Sequence, residues 1–85
     1  MSAYEPVWHA KGAAEVRGLP ERAGKALWDT LVAVLRDPWG QTQADRSEND
    51  EAFRFALFDL GDGVVHIRID DQARTVTVHG VTWLG

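Results

Sequence analysis

The sequence predicts an α+β domain of order β-α-α-β-β-β, in which two helices cover the aliphatic face of a C-terminal strand hairpin. Three observations carry this. Over residues 20–36, Ala23, Leu27, Leu31, Val34 and Leu35 recur at helical spacing and form one apolar stripe. Over residues 64–83 the period changes to two: Val65, Ile67, Ile69, Val76 and Val78 fall on one face, while Val64, His66, Arg68, Thr75, Thr77 and His79 fall on the other. Between two strand-like runs stands Gly61-Asp62-Gly63, which supplies residues tolerant of positive φ for a tight turn.

In chain order, residues 4–8 (YEPVW) mix aromatic and β-branched types in near-alternation and predict a short first strand. Pro6 has no N–H to donate, so this strand belongs where that position need not pair. Ala10, Ala13, Ala14, Val16 and Leu19 follow at helical spacing, weakened by Gly12 and Gly18 and stopped by Pro20. Pro20 suits the first turn of the second helix, whose stripe Trp28 and Val32 widen, with Trp28 expected in the core. That helix ends at Asp37-Pro38, because proline disfavours helical geometry in the residue before it. Residues 39–51 (WGQTQADRSENDE) are polar and without period, which predicts a long loop. Residues 53–60 (FRFALFDL), 64–70 (VVHIRID) and 75–83 (TVTVHGVTW) are strands, with a turn at 71–74. Gly80 breaks the alternation just ahead of Val81 and Trp83, as a β-bulge would. The aliphatic rows then meet the helices, and the row of His66, Arg68 and His79 faces outward. Trp83 is expected to pack at the core edge, and Trp39 either to do the same or to anchor a partner.

Composition limits the function classes. Eighty-five residues suit a single domain, 1–85, with one modest core, since a chain this short buries only about 60–65% of its unfolded surface. No apolar run reaches the length of a membrane span, and residues 1–8 lack the basic flank and apolar core of a signal peptide, so a cytoplasmic location is expected. Without cysteine there are no disulfides and no thiolate metal sites. The net charge of −4 is unevenly spread: residues 1–37 balance, whereas residues 38–52 set Arg46 against Asp45, Glu48, Asp50 and Glu51. A nucleic-acid binder clusters Lys and Arg to neutralise phosphates, so general DNA or RNA binding is not expected. The acidic stretch suits a solvated loop or a basic protein partner.

Few motifs carry chemistry. Ser2 and Ser47 are the only serines, and Ser47 lies in DRSEND with no nucleophile elbow. The three histidines have no metal-ligand spacing, and Asp59, Asp62, Asp70 and Asp71 read as turn and cap residues. No glycine-rich phosphate cradle precedes a helix, so no cofactor is implied.

A strand, a helical pair ending in "DP", a variable loop, then "FR…GDG…VVHIRIDDQARTVTVHGV" resembles the RelE/ParE superfamily of type II toxins, whose members commonly end in segments of the form GDYRVVYRIDDEARTVTV. The resemblance covers nearly the whole chain, with its specificity concentrated between Asp62 and Val81. It implies two helices packed on one face of a twisted, mainly antiparallel sheet, an opposite concave face that engages the target, and a cognate antitoxin that wraps the toxin. RelE-like members cleave mRNA on the ribosome, and ParE-like members inhibit DNA gyrase.

Carried over residue by residue, the resemblance is incomplete. Ribosome-dependent cleavage needs cationic groups on the outer sheet face to stabilise charge at the scissile phosphate, and a group that moves a proton. Where many members place Tyr-Arg after the hairpin "GD", this chain has Gly63 and Val64, and Val81-Thr82-Trp83-Leu84-Gly85 lacks the His-Arg or Arg-Tyr pair that often follows the last strand. The resemblance leaves Arg54 and Arg68 as the matching arginines. His66 and His79 titrate near neutrality and are the candidate acid and base. The expected catalytic set of a ribosome-dependent endoribonuclease is therefore Arg54, Arg68, His66 and His79, each of which also has a plain reading as a surface ion pair, a strand residue or a solvated imidazole. The alternative is a non-catalytic protein-binding module that keeps the toxin fold without its cationic site.

Overall fold

The computed structural model describes residues 3–85, in the order β1 (Glu5–Trp8), α1 (Ala10–Arg17), α2 (Glu21–Arg36), β2 (Gln43–Ala44), β3 (Phe53–Phe58), a single 3-10 turn (Asp59–Gly61), β4 (Gly63–Asp70) and β5 (Thr75–Trp83). The strands form one sheet in the order β1-β5-β4-β3-β2, antiparallel throughout except for the parallel pair β1 and β5. Both helices pack on one side of it.

α2 forms because its apolar residues lie on one face and because both ends are specified. Pro20 is the N-cap, where the missing N–H costs nothing, and its carbonyl accepts from Gly24 N at 2.9 Å. At the other end Asp37, at φ −150° and ψ 73° ahead of Pro38, leaves the helical region and stops the helix at Arg36. Ala23, Leu27, Leu31 and Val34 of α2 are buried against Ala56, Phe58, Val65, Ile67, Ile69, Val76, Val78 and Val81 of the sheet. Each large side chain removed from water here contributes about 1.5–3 kcal/mol. Trp28 is not part of this layer: it is 52% exposed, because it lies about 100° around the helix from Leu27 and falls off the buried stripe.

β1 takes the edge of β5, with Pro6 in register with Val76. Glu5 N and His9 N donate to Arg74 O and Val78 O, at 2.9 and 3.0 Å, so the donors alternate and Pro6 falls on the outward phase. After Trp8 the strand gives way to α1, which takes over the same edge. The Glu15 carboxylate accepts from Val81 N at 3.0 Å, and a Cβ on Gly12 would stand 2.7 Å from Val78 O. The first helix thus lies directly on the backbone of the last strand.

Three boundaries differ from expectation. The 39–51 loop contains β2, two residues that pair with Phe55 and Arg54. The β3–β4 turn begins earlier than Gly61, with positive φ at Asp59 (52°), Leu60 (56°) and Gly61 (93°). Asp59 is anchored there by Arg22 Nη1 at 2.7 Å and Trp83 Nε1 at 2.9 Å. The bulge lies at His79: His66 pairs with Gly80 and Ile67 with Val78, leaving His79 as the extra residue. It shifts the inward phase from Val76 and Val78 to Val81, which keeps the second half of β5 packed on the core.

Candidate functional site

The inward-facing rows of β4 and β5 are buried, and the rows containing His66, Arg68, Thr77 and His79 are partly exposed on the opposite face. The open face of the sheet is therefore the face with the titratable groups. On β3 the register places Phe53 opposite Arg68, Phe55 opposite His66 and Leu57 opposite Val64, so these three share that outer face.

One patch on it is assembled from four elements. The bulge leans the His79 ring across the sheet to a centroid distance of 5.4 Å from Phe53 and 5.3 Å from His9, the N-cap of α1. The Arg68 guanidinium sits 5.8 Å from the Phe53 ring centroid, within cation–π range, and 3.3 Å from the Asp50 carboxylate. His66 lies beside the patch, opposite Gly80, with Nδ1 3.8 Å from Asp45 Oδ2.

Electrostatics give these groups different proton states. Burial in the patch pushes His79 below its ordinary value, and the nearby His9 and Arg68 charges add to this, while Glu48 opposes them. His79 is accordingly a neutral imidazole at neutral pH, able to accept a proton. Asp45 is held below the usual carboxylate range chiefly by the Ser47 hydroxyl and N–H, with His66 adding to the effect. The acidic loop thus brings carboxylates to the rim of the patch, where Asp45 and Asp50 meet His66 and Arg68.

Arg54 is not part of this arrangement. It pairs with Ile67 and so shares the helix-covered side of β3. Its Nε donates to Thr42 Oγ1 at 2.7 Å and its Nη2 to Thr42 O at 2.8 Å, with the guanidinium 5.1 Å from the Trp39 ring centroid. Thr42, buried, donates in turn to Pro38 O at 2.6 Å. Arg54 therefore ties the start of the long loop to the sheet. The structure brings His66, Arg68 and His79 to one surface and places Arg54 on the other.

Trp39 belongs to a second concavity, lined by Tyr4, Arg36, Asp37, Pro38, Trp39 and Arg74. Its Nε1 donates to Asp71 Oδ1 at 3.0 Å, the Tyr4 hydroxyl donates to the same oxygen at 2.6 Å, and Arg74 lies 4.4 Å from the Tyr4 ring centroid. These bonds, the Tyr4 hydroxyl first, keep the Asp71 carboxyl ionised. A carboxylate held this way orients two rings and has no proton to give near neutrality. Among the described residues no three His, Asp or Glu side chains converge as metal ligands.

His9 is the residue that sequence reasoning missed. Its neighbour Trp8 is in register with Val78, so the parallel pairing of β1 with β5 delivers His9 to His79 across the length of the chain. Nothing local in the sequence signals that contact.

No protein-family model matches this chain, and no curated protein does. Solved structures do. A chain of the toxin–antitoxin complex RelBE2 from Mycobacterium tuberculosis superposes with a TM-score of 0.82 at 21% identity, over 98% of this chain and 93% of that one. The isolated E. coli RelE toxin gives 0.83 at 18% identity, over 98% and 86%. A chain of the chromosomal ParDE TA system of P. aeruginosa gives 0.60 at 16% identity, over 98% of each. Sheet order, helix placement and near-complete coverage agree, and the chain has the RelE/ParE toxin fold.

Proposed function

We propose that this chain is the toxin component of a type II toxin–antitoxin pair, held by a cognate antitoxin, and that its outer sheet face acts on ribosome-bound mRNA. The observation that carries this reading is the convergence of His66, Arg68 and His79 on the open face of a toxin fold. Arg68 is the group that would meet the scissile phosphate and stabilise charge developing on it, and His79 the group that would take a proton. Arg68 leaves Asp50 to do so; the pair is a surface one, worth at most about 1 kcal/mol, which a phosphate can displace. A net charge of −4 and carboxylates at the rim disfavour free RNA as substrate and suit a target presented by a larger assembly.

Inducible expression tests it. Growth arrest with cleavage of translated messages, relieved by co-expressing a cognate antitoxin, is the expected result. Unchanged growth and intact mRNA would sink the ribonuclease reading.

A second reading has its own observation. Arg54 faces the helix side, and His66 and Arg68 each face a carboxylate of the same loop, so the outer face is not strongly cationic. A non-catalytic module that binds a protein partner through this fold fits that balance. It predicts a stable complex with the partner that survives combined alanine substitution of His66, Arg68 and His79, with no effect of the parent chain on growth.

A further inference from the structure

The outer-face patch contains a group outside the predicted site. His9 follows β1 and caps α1, its Nδ1 accepting from Lys11 N at 3.3 Å. That bond is accepted by an unprotonated Nδ1 and orients the neutral ring. Its ring centroid is 5.3 Å from that of His79, with the planes tilted by 33°. On its far side His79 contacts Phe53, which in turn carries Arg68. His79 is the extra residue of a β-bulge, the one position of β5 not fixed by a cross-strand partner. It is oriented instead between two rings, one on each side.

We propose that His9 and His79 work as one coupled imidazole pair, in which His9 is a positioning residue that holds His79 as the proton acceptor beside Arg68. The inference rests on the ribonuclease reading for its chemistry and on geometry alone for the coupling. Two imidazoles at this separation bind a first proton more readily than a second, so a proton on His9 lowers the affinity of His79 for its own. The other charged groups that face the pair are Arg68 on β4, which acts in the same direction as His9, and Glu48 in the long loop, which opposes it. Asp50 partly offsets Arg68, Asp45 is engaged by Ser47 and His66, and Glu15 of α1 is occupied by the N–H of Val81. His66, opposite Gly80, is a further imidazole on this surface. In the reaction, the ribose hydroxyl next to the scissile phosphate loses its proton to His79 as its oxygen bonds to phosphorus. The bond from phosphorus to the next nucleotide's oxygen breaks, and that oxygen takes a proton from water. Nothing is oxidised or reduced.

His9→Asn separates positioning from folding, because Asn is among the best N-cap residues and keeps α1 capped while removing the imidazole. NMR titration of the His79 ring in the parent chain and in H9N reads the coupling without any activity. A unit charge at this distance in a solvated site predicts that H9N raises the proton affinity of His79 about three- to fivefold. An unchanged His79 titration in a folded H9N variant overturns the pair. The second measurement is the pH profile of mRNA cleavage with translating ribosomes, whose acidic limb should move up in pH by the same factor in H9N. A profile that keeps its shape while activity falls makes His9 merely structural and overturns the positioning role. A shifted His79 titration in a chain that cleaves no mRNA overturns the ribonuclease reading and leaves the pair standing.

Discussion

Leu60 occupies the left-handed region at φ 56°, and its side chain is fully exposed, so the strain at its Cβ is offset by no packing. Leu60→Gly is expected to raise stability by about 0.5–1 kcal/mol, even after the added freedom of glycine in the unfolded chain is counted. Thermal unfolding should show this as a Tm increase of a few degrees, about 4–8 °C per kcal/mol for a domain of this size. The neighbouring position behaves oppositely. Asp59 shares the left-handed conformation, but its carboxylate, itself only 7% exposed, is where the Trp83 indole N–H and the Arg22 guanidinium both end. Asp59→Ala leaves a part-buried N–H without its acceptor and should cost about 1–3 kcal/mol, read as a lower urea midpoint with unchanged slope. Two adjacent residues in one turn therefore differ in sign, according to whether the side chain has partners. The same distinction explains Arg54. In the run FRFALF both faces of the strand are largely apolar, so period two does not reveal which side a residue takes, and only pairing with Ile67 shows that Arg54 faces the helices.

At the scale of elements, two helical glycines make opposite predictions for one substitution. Gly24, in α2, has nothing within 4 Å of where an added Cβ would stand, so Gly24→Ala should recover the helix-propensity difference of about 0.8–1 kcal/mol. Gly12, in α1, is where the helix axis comes down on the Val78 carbonyl, and Gly12→Ala must push α1 off the edge of β5. That displacement would cost more than the propensity gain and would also move His9 relative to His79. Chemical denaturation of both variants checks the signs, and the aromatic NMR signals of His79 should shift in G12A and not in G24A. In the sequence Gly12 reads only as a glycine that weakens a helix, and the Val78 carbonyl beside it is visible only in the fold. The elements that were legible are those with a long, single-phase pattern: the α2 stripe, the two rows of β4 and β5, and the bulge, which showed as a break of phase at Gly80. β2 was not legible, because Gln43 and Ala44, in a polar stretch without period, become a strand only through the bonds β3 offers them. Trp28 was misplaced for a related reason: an apolar residue beside the stripe widens it only if the neighbouring layer extends that far.

For the whole molecule, the outer-face patch makes stability depend on pH. His79 was visible in the sequence as an outward residue, but its environment was not, since Phe53 and His9 reach it from β3 and from the start of α1. Burial among them lowers its proton affinity in the folded chain below the ordinary value of 6.5 recovered on unfolding. The unfolded chain then binds more protons than the folded one once the pH falls below about 6.5, so stability rises with pH through that window and is lost on acidification. Asp45 and Asp71 act in the same direction lower down. Both have folded values below the ordinary 3.8, so the stability they confer is present above that value and lost as pH falls through their folded range. The expected profile has two steps, an imidazole step below 6.5 and a carboxylate step below 3.8, with a plateau above neutrality. Urea midpoints measured from about pH 8 to about pH 3 test this, and His79→Gln assigns the first step, since glutamine fills a similar volume without titrating. Loss of the upper step in H79Q, with the lower one retained, is the expected result. An upper step that persists in H79Q would assign it to another histidine, and would remove the argument that the bulge holds a neutral, proton-accepting imidazole on the open face of the toxin fold.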